Sequence, residues 1–251
     1  MVKGLNVFRD YFRGDQDKYV LIGGAACYLA MDEVGLDFRV TKDLDIVLCI
    51  EAIDAEFVKK FWDFVRAGKY EIQQKSTGEK QYYRFMKPQN PTFPVMLELF
   101  SRQPDGLILE GEPTLTPIPT DEDVSSLSAI LMDDNYYGLM LAGKKETDEV
   151  CVLDPETIVV FKAKAWLDLT ARKRAGERVD SKNIKKHKND VFRLFPLLSP
   201  ANRTALPDEI KDDMRAFIAA VRLDPPVLSS LNVTGVSADA VFGTLAEIYQ
   251  L

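Results

Sequence analysis

Tyr19-Val20-Leu21-Ile22-Gly23-Gly24, followed after eighteen residues by Asp43-Leu44-Asp45-Ile46-Val47, is the stretch on which the fold turns. The first run is apolar and ends in two glycines, and an amphipathic segment, Ala25 to Val34, opens behind it with Ala26, Leu29 and Ala30 on one side. The second run is built to be buried, yet it carries two aspartates one residue apart. A strand puts residues i and i+2 on the same face, so Asp43 and Asp45 point the same way. Neighbouring carboxylates on a buried strand repel each other and lose hydration. A divalent cation makes such a pair tolerable, and a glycine turn at a nearby helix start can hold phosphate.

Outward from this stretch, the first part of the chain alternates helix and strand. Leu5 to Phe12 reads as helix, Tyr19 to Ile22 as strand, Ala25 to Val34 as helix and Asp43 to Ile50 as a buried strand. Ala55 to Arg66 is strongly amphipathic, with Val58, Phe61, Trp62 and Val65 at helical spacing. Strand-like runs follow at Tyr70 to Gln74, Gln81 to Met86 and Val95 to Phe100. Thr114 to Ile118 reads as an edge strand because of Pro117, and Val124 to Met132 as a short helix. At Asp154-Pro155-Glu156 the character changes to an N-cap, a proline at the first helical position and an acid in the first turn. Helices are expected at about 155–174, 181–195, 207–222 and 237–250. The fold class is therefore α/β in the α+β sense, a mixed sheet followed by a C-terminal helical domain. The boundary is placed near 153, giving domains 1–153 and 154–251.

The bulk composition suits a globular chain, with 46% hydrophobic and 28% charged residues among 251. No apolar stretch has the length of a membrane span, and the N-terminus lacks the apolar core of a signal peptide. Cys27, Cys49 and Cys151 are scattered, with neither metal-ligand spacing nor a disulfide pattern. Buried thiols in a reducing cytoplasm are expected. The one histidine, His187, argues against histidine-rich zinc sites. It sits in a lysine-rich segment, where a solvated side chain is expected. Net charge is −7, which disfavours nucleic-acid binding over the whole surface. The exception is Arg172 to Lys188, where eight cations (Arg172, Lys173, Arg174, Arg178, Lys182, Lys185, Lys186, Lys188) face only Glu177 and Asp180. That run is either a solvated face or a patch that steers a phosphate-bearing ligand.

Gly23-Gly24 with Arg39-Val40-Thr41-Lys42-Asp43-Leu44-Asp45 resembles the signature of the DNA polymerase β-like nucleotidyltransferase superfamily. The spacing resembles its AbiEii-type branch of abortive-infection and toxin–antitoxin proteins. There an Arg-x-Thr-x-Asp-x-Asp run follows the glycines at such a distance. Val159-Val160-Phe161-Lys162-Ala163-Lys164-Ala165-Trp166 is similar to that branch's lysine-bearing helix. Lys188-Asn189-Asp190-Val191-Phe192-Arg193-Leu194 is similar to its aspartate-bearing helix. The matches sample residues 20 to 194 in order.

The resemblance implies a nucleotidyltransferase fold and transfer of a nucleoside monophosphate from a nucleoside triphosphate to an acceptor hydroxyl, with two Mg²⁺ ions. Asp43 and Asp45 would ligate the metal, the backbone amides after Gly23, from Gly24 on, would bind phosphate oxygens at the helix start, and Thr41 would shape the approach to Asp43. Lys162 would neutralise the triphosphate. Asp190 would position the Lys162 ammonium or a ligand, or else pair with Lys186 on its own helix. A third carboxylate is usual on a later strand. Glu98, charged within Met96-Leu97-Glu98-Leu99-Phe100, is the candidate, a third metal ligand that would activate the acceptor hydroxyl through the metal or as a general base, the alternative being an edge-strand residue facing water. Arg84 is a further candidate phosphate contact. Implied partners are an RNA acceptor, tRNA among them, guided by 172–188, and a cognate antitoxin. A small cationic acceptor of the aminoglycoside kind is the second enzymatic reading. A non-catalytic nucleotide-binding or partner-interaction module is the third, and the paired buried acids speak against it.

Overall fold

The computed structural model describes residues 2–39, 41–72, 82–101 and 130–251. Contacts divide the chain into two compact units, Met1–Pro119 with Lys144–Asp154, and Thr120–Gly143 with Pro155–Leu251. The chain passes between them at Asp154–Pro155, beside the boundary read from sequence. It also enters the second unit earlier and returns at Lys144.

The first unit holds a seven-stranded mixed sheet among the described residues. Its strands are β1 Tyr19–Ile22, β2 Asp43–Leu48, β3 Glu71–Ile72, β4 Tyr82–Met86, β5 Met96–Phe100, β6 Lys144–Thr147 and β7 Val150–Leu153. The order is β3-β4-β5-β2-β1-β7-β6. Strand β2 runs parallel to β5 and antiparallel to β1, while β1 runs parallel to β7. The unit's helices are α1 Leu5–Tyr11, α2 Gly23–Glu33 and α3 Ala55–Gly68.

Side chains opposite one another in a ladder share a face. One face therefore carries Tyr19, Leu21, Leu44, Ile46, Leu97 and Phe85, all fully or almost fully buried. Helices α1 and α3 cover it with an aromatic layer, in which Phe8 meets Tyr19 at 5.2 Å and Phe61 meets Phe85 at 5.7 Å between ring centres. Edge-to-face pairs of this kind add to the burial of the rings themselves. Asp54 caps α3 by accepting a bond from the Phe57 amide. The opposite face carries the acids.

The second unit contains α4 Asp134–Ala142, α5 Pro155–Arg174, α6 Ser181–Leu194, α7 Asp208–Arg222 and α8 Ala238–Tyr249. The four later helices lie where caps and periodicity place them. Asp180 caps α6 and Ser237 caps α8 through side-chain bonds to backbone amides. Trp166 and Phe192 are core, while Phe195 is half-buried in a 3-10 turn.

Several boundaries differ from the expectations. Helix α2 begins at Gly23 rather than Ala25, because the glycines themselves form its first turn. Strand β2 ends at Leu48 rather than Ile50. Helix α4 and the β6–β7 hairpin were not legible in advance. The expected strand 114–118, the start of the helix 124–132 and residues 73–74 and 81 lie outside the described residues. Cys27, Cys49 and Cys151 are buried and form no disulfide. Among the described residues, no helix is long and apolar enough to cross a membrane.

Candidate functional site

The acids sit in the middle of the first unit's sheet. Ladder register aligns Arg84 of β4 with Glu98 of β5, Glu98 with Asp45 of β2, and Asp45 with Ile22 of β1. These four share a face, and Asp43 lies two residues from Asp45 on the same side. Asp43 and Asp45 are half-buried. Glu98 is buried, so the solvent-facing edge alternative does not hold: β5 lies between β4 and β2.

The glycines fit against these residues. Gly23 has φ +63, in the left-handed region, and a Cβ built on it would lie 1.8 Å from Asp45 Oδ2. A Cβ on Gly24 would lie 2.7 Å from Thr41 Oγ1. The Thr41 hydroxyl is directed at the Asp43 carbonyl, 3.5 Å away. Glycine is therefore required at Gly23 by both conformation and space. Helix α2 starts here with no side chain capping its amides and no acid in its first turn. Helices α3, α4, α6 and α8 each have a side-chain cap. The unsatisfied first-turn amides of α2 suit an anion.

Electrostatics are concentrated at Glu98. Burial, the Asp45 carboxylate beside it and a hydrogen bond with Asp45 push its carboxyl up to about 8. Arg84 opposes the shift by donating from Nε at 2.8 Å and Nη2 at 2.6 Å, both to Glu98 Oε1. Carboxyl groups opposed in register on one face form a site that a cation can occupy. Among the described residues, no group of three or more His, Cys, Asp or Glu side chains is arranged to hold a metal ion. Asp43 and Asp45 alone still fit Mg²⁺, which keeps several waters and takes one or two carboxylates plus substrate phosphates.

The remaining candidates lie in the second unit. Lys162 donates to Asp190 Oδ2 at 3.1 Å, and Arg193 holds the other oxygen at 3.1 Å. Lys162 is 5% exposed and Asp190 fully buried. Arg193 was not foreseen as a partner, although its i,i+3 spacing from Asp190 signals the pair. Lys164, two residues from Lys162, points elsewhere and pairs with Asp213 at 2.7 Å. His187 was expected in solvent, but it is half-buried, with both ring nitrogens shielded from water. In the basic run, Lys173, Arg174, Arg178, Lys182 and Lys185 are exposed. Arg172 is tied to Glu177, and Lys188 to Asp224.

No family model and no curated protein matches the chain. Among solved structures it is similar to an antigenic nucleotidyltransferase-like protein from Paracoccidioides brasiliensis. That match has 16% identity and a TM-score of 0.46, covering 95% of this chain and 98% of that one. It is also similar to the Megavirus polyadenylate synthase, at 12% identity and a TM-score of 0.42, covering 88% of this chain and 36% of that one. JHP933 from Helicobacter pylori matches at 14% identity and a TM-score of 0.39, covering 97% and 94% of the two chains. At such identities and scores these likenesses carry no assignment of activity.

Proposed function

We propose that the chain is a Mg²⁺-dependent nucleotidyltransferase of the polymerase β-like superfamily, moving a nucleoside monophosphate from a triphosphate to an acceptor hydroxyl. The observation that carries this reading is the fit of Gly23 against Asp45 Oδ2 at the uncapped start of α2. It puts a carboxylate suited to a cation and a helix start suited to an anion at one point. Asp43 and Asp45 would hold the ion, which supplies charge neutralisation and polarisation of the α-phosphoryl group when bound. The α2 amides would receive phosphate oxygens, and Thr41 keeps the Asp43 strand in place behind Gly24. The acceptor oxygen forms a bond to the α-phosphorus, the bond to the bridging oxygen breaks, and pyrophosphate leaves with the electron pair. The acceptor proton passes to a base, and a carboxylate of the acid face suits that role.

Within the second unit, the buried pairing of Lys162 with Asp190 supports the role of Asp190 in setting the Lys162 ammonium. The exposed cations of 172–188 favour RNA as acceptor, because they form a local basic surface on an acidic chain.

Calorimetric titration with Mg²⁺ and a nonhydrolysable triphosphate tests the reading. Binding that disappears in Asp43→Ala/Asp45→Ala supports it, and absent or unchanged binding rejects it.

A further inference from the structure

The end of α5, the start of α6 and the connection between them carry Lys173, Arg174, Arg178, Lys182 and Lys185, all exposed. Among the described residues, no carboxylate pairs with any of these five. Both acids of the stretch are engaged otherwise: Glu177 takes the Arg172 guanidinium, and Asp180 caps α6 through the Lys182 amide. Elsewhere on this acidic chain exposed cations do find acids, Arg13 with Glu149, Lys87 with Glu71, Lys145 with Glu33 and Arg215 with Asp212. A group of like charges repels itself, and a polyanion relieves that repulsion. Ser181 stands among the five cations, exposed, its Oγ accepting a hydrogen bond from Lys173 Nζ. Helical geometry puts Ser181, Lys182 and Lys185 within about 100° of one another around α6.

This cationic surface has no aromatic ring in it. Between Trp166 and Phe192 the sequence contains no Phe, Tyr or Trp. Among the described residues of the second unit every aromatic side chain is buried except Phe195, which is half-buried. Phe195 follows the far end of α6, about 20 Å from Ser181. Surfaces that hold unpaired RNA combine cations with aromatic platforms on which the bases stack. A base-paired stem presents phosphates and 2′-hydroxyls instead, at about twice the phosphate density of a single strand along its axis. We infer that the surface from Lys173 to Lys185 grips a base-paired RNA stem by its phosphates, without reading base sequence. That grip presupposes RNA as the acceptor of the proposed transfer. The five cations meet phosphate oxygens of the stem. Ser181 donates its hydroxyl proton to one of them while still accepting from Lys173.

The test is fluorescence anisotropy of the full chain with two blunt RNA duplexes of different sequence and an oligouridine of equal phosphate number, over a series of salt concentrations. The two duplexes bind within about threefold of each other, and both bind severalfold tighter than the oligouridine. Lys182→Ala and Lys185→Ala each weaken both duplexes alike and make the slope of log affinity against log salt shallower by about 1. Lys188→Ala leaves the slope unchanged, because Lys188 is tied to Asp224. Ser181→Ala weakens duplex binding at an unchanged slope, since a neutral contact releases no counterion. An oligouridine bound as tightly as the duplexes makes this a single-strand surface and overturns the inference, while RNA as acceptor stands. Duplexes that differ by more than about threefold reveal base readout and overturn it as well. Unchanged slopes in both Lys182→Ala and Lys185→Ala put the contact elsewhere and also overturn it. Wild-type protein that binds neither kind of RNA removes RNA as the acceptor, and the stem grip with it.

Discussion

Gly23 and Asp45 are in such close contact that a single methyl group on the glycine would lie 1.8 Å from the Asp45 carboxylate. The glycine also sits at φ +63. Gly23→Ala therefore has two effects. The backbone strain costs about 1 kcal/mol of stability, and the carboxylate must swing out of its position. The expected result in denaturant titration is a small loss of stability, with Mn²⁺ affinity reduced at least tenfold. A variant that binds Mn²⁺ like the wild type would show that the contact is not part of the site.

Glu98 makes stability depend on pH. Its carboxyl rises from an ordinary 4.5 to about 8. Below 4.5 it is protonated in both folded and unfolded chains, so its contribution is fully present. Between 4.5 and 8 the unfolded chain ionises and the folded chain does not, and stability falls by at most about 1.4 kcal/mol per pH unit. Glu98→Gln removes this slope. Melting curves from pH 4.5 to 8 check it, and a slope that persists in Glu98→Gln would place its origin elsewhere.

In the second unit, Lys162→Met strips a cationic partner from the fully buried Asp190. Breaking one side of a buried pair costs about 3 kcal/mol or more. Urea titration should register that loss, and a change near zero would mean the pair contributes nothing in solution.

The two features that opened the sequence, a glycine pair and an Asp-x-Asp run, were legible because they break rules that ordinary cores obey. The four C-terminal helices were legible too, since Pro155, Asp180, Pro207 and Ser237 mark their starts by local chemistry. The β6–β7 hairpin was not. Its turn residues Asp148 and Glu149 both have positive φ, where glycine or asparagine would be the readable signal. Arg9 and Arg13 of the α1 region pair with them instead, across more than 130 residues of sequence. Glu98 stood out as a charge in an apolar run. Its bond to Arg84 emerges only once β4 and β5 set their register.

The basic run offers a separate test. Arg174→Glu, Arg178→Glu, Lys182→Glu and Lys185→Glu, made together, change exposed side chains. Stability should move little, while RNA affinity falls and its salt dependence becomes shallower. Filter binding at two salt concentrations reads this out. Equal RNA affinity in the variant would free the segment from any part in acceptor binding.

The central claim is transfer of a nucleotidyl group at Asp43 and Asp45. Incubation of the chain with Mg²⁺, cellular RNA and the four triphosphates, labelled in parallel at the α- or the γ-phosphate, tests it most directly. The account predicts α-label joined covalently to RNA, pyrophosphate carrying the γ-label, and neither product from Asp43→Ala/Asp45→Ala. No transferred label, transfer of the γ-label, or full transfer by the double variant would contradict it.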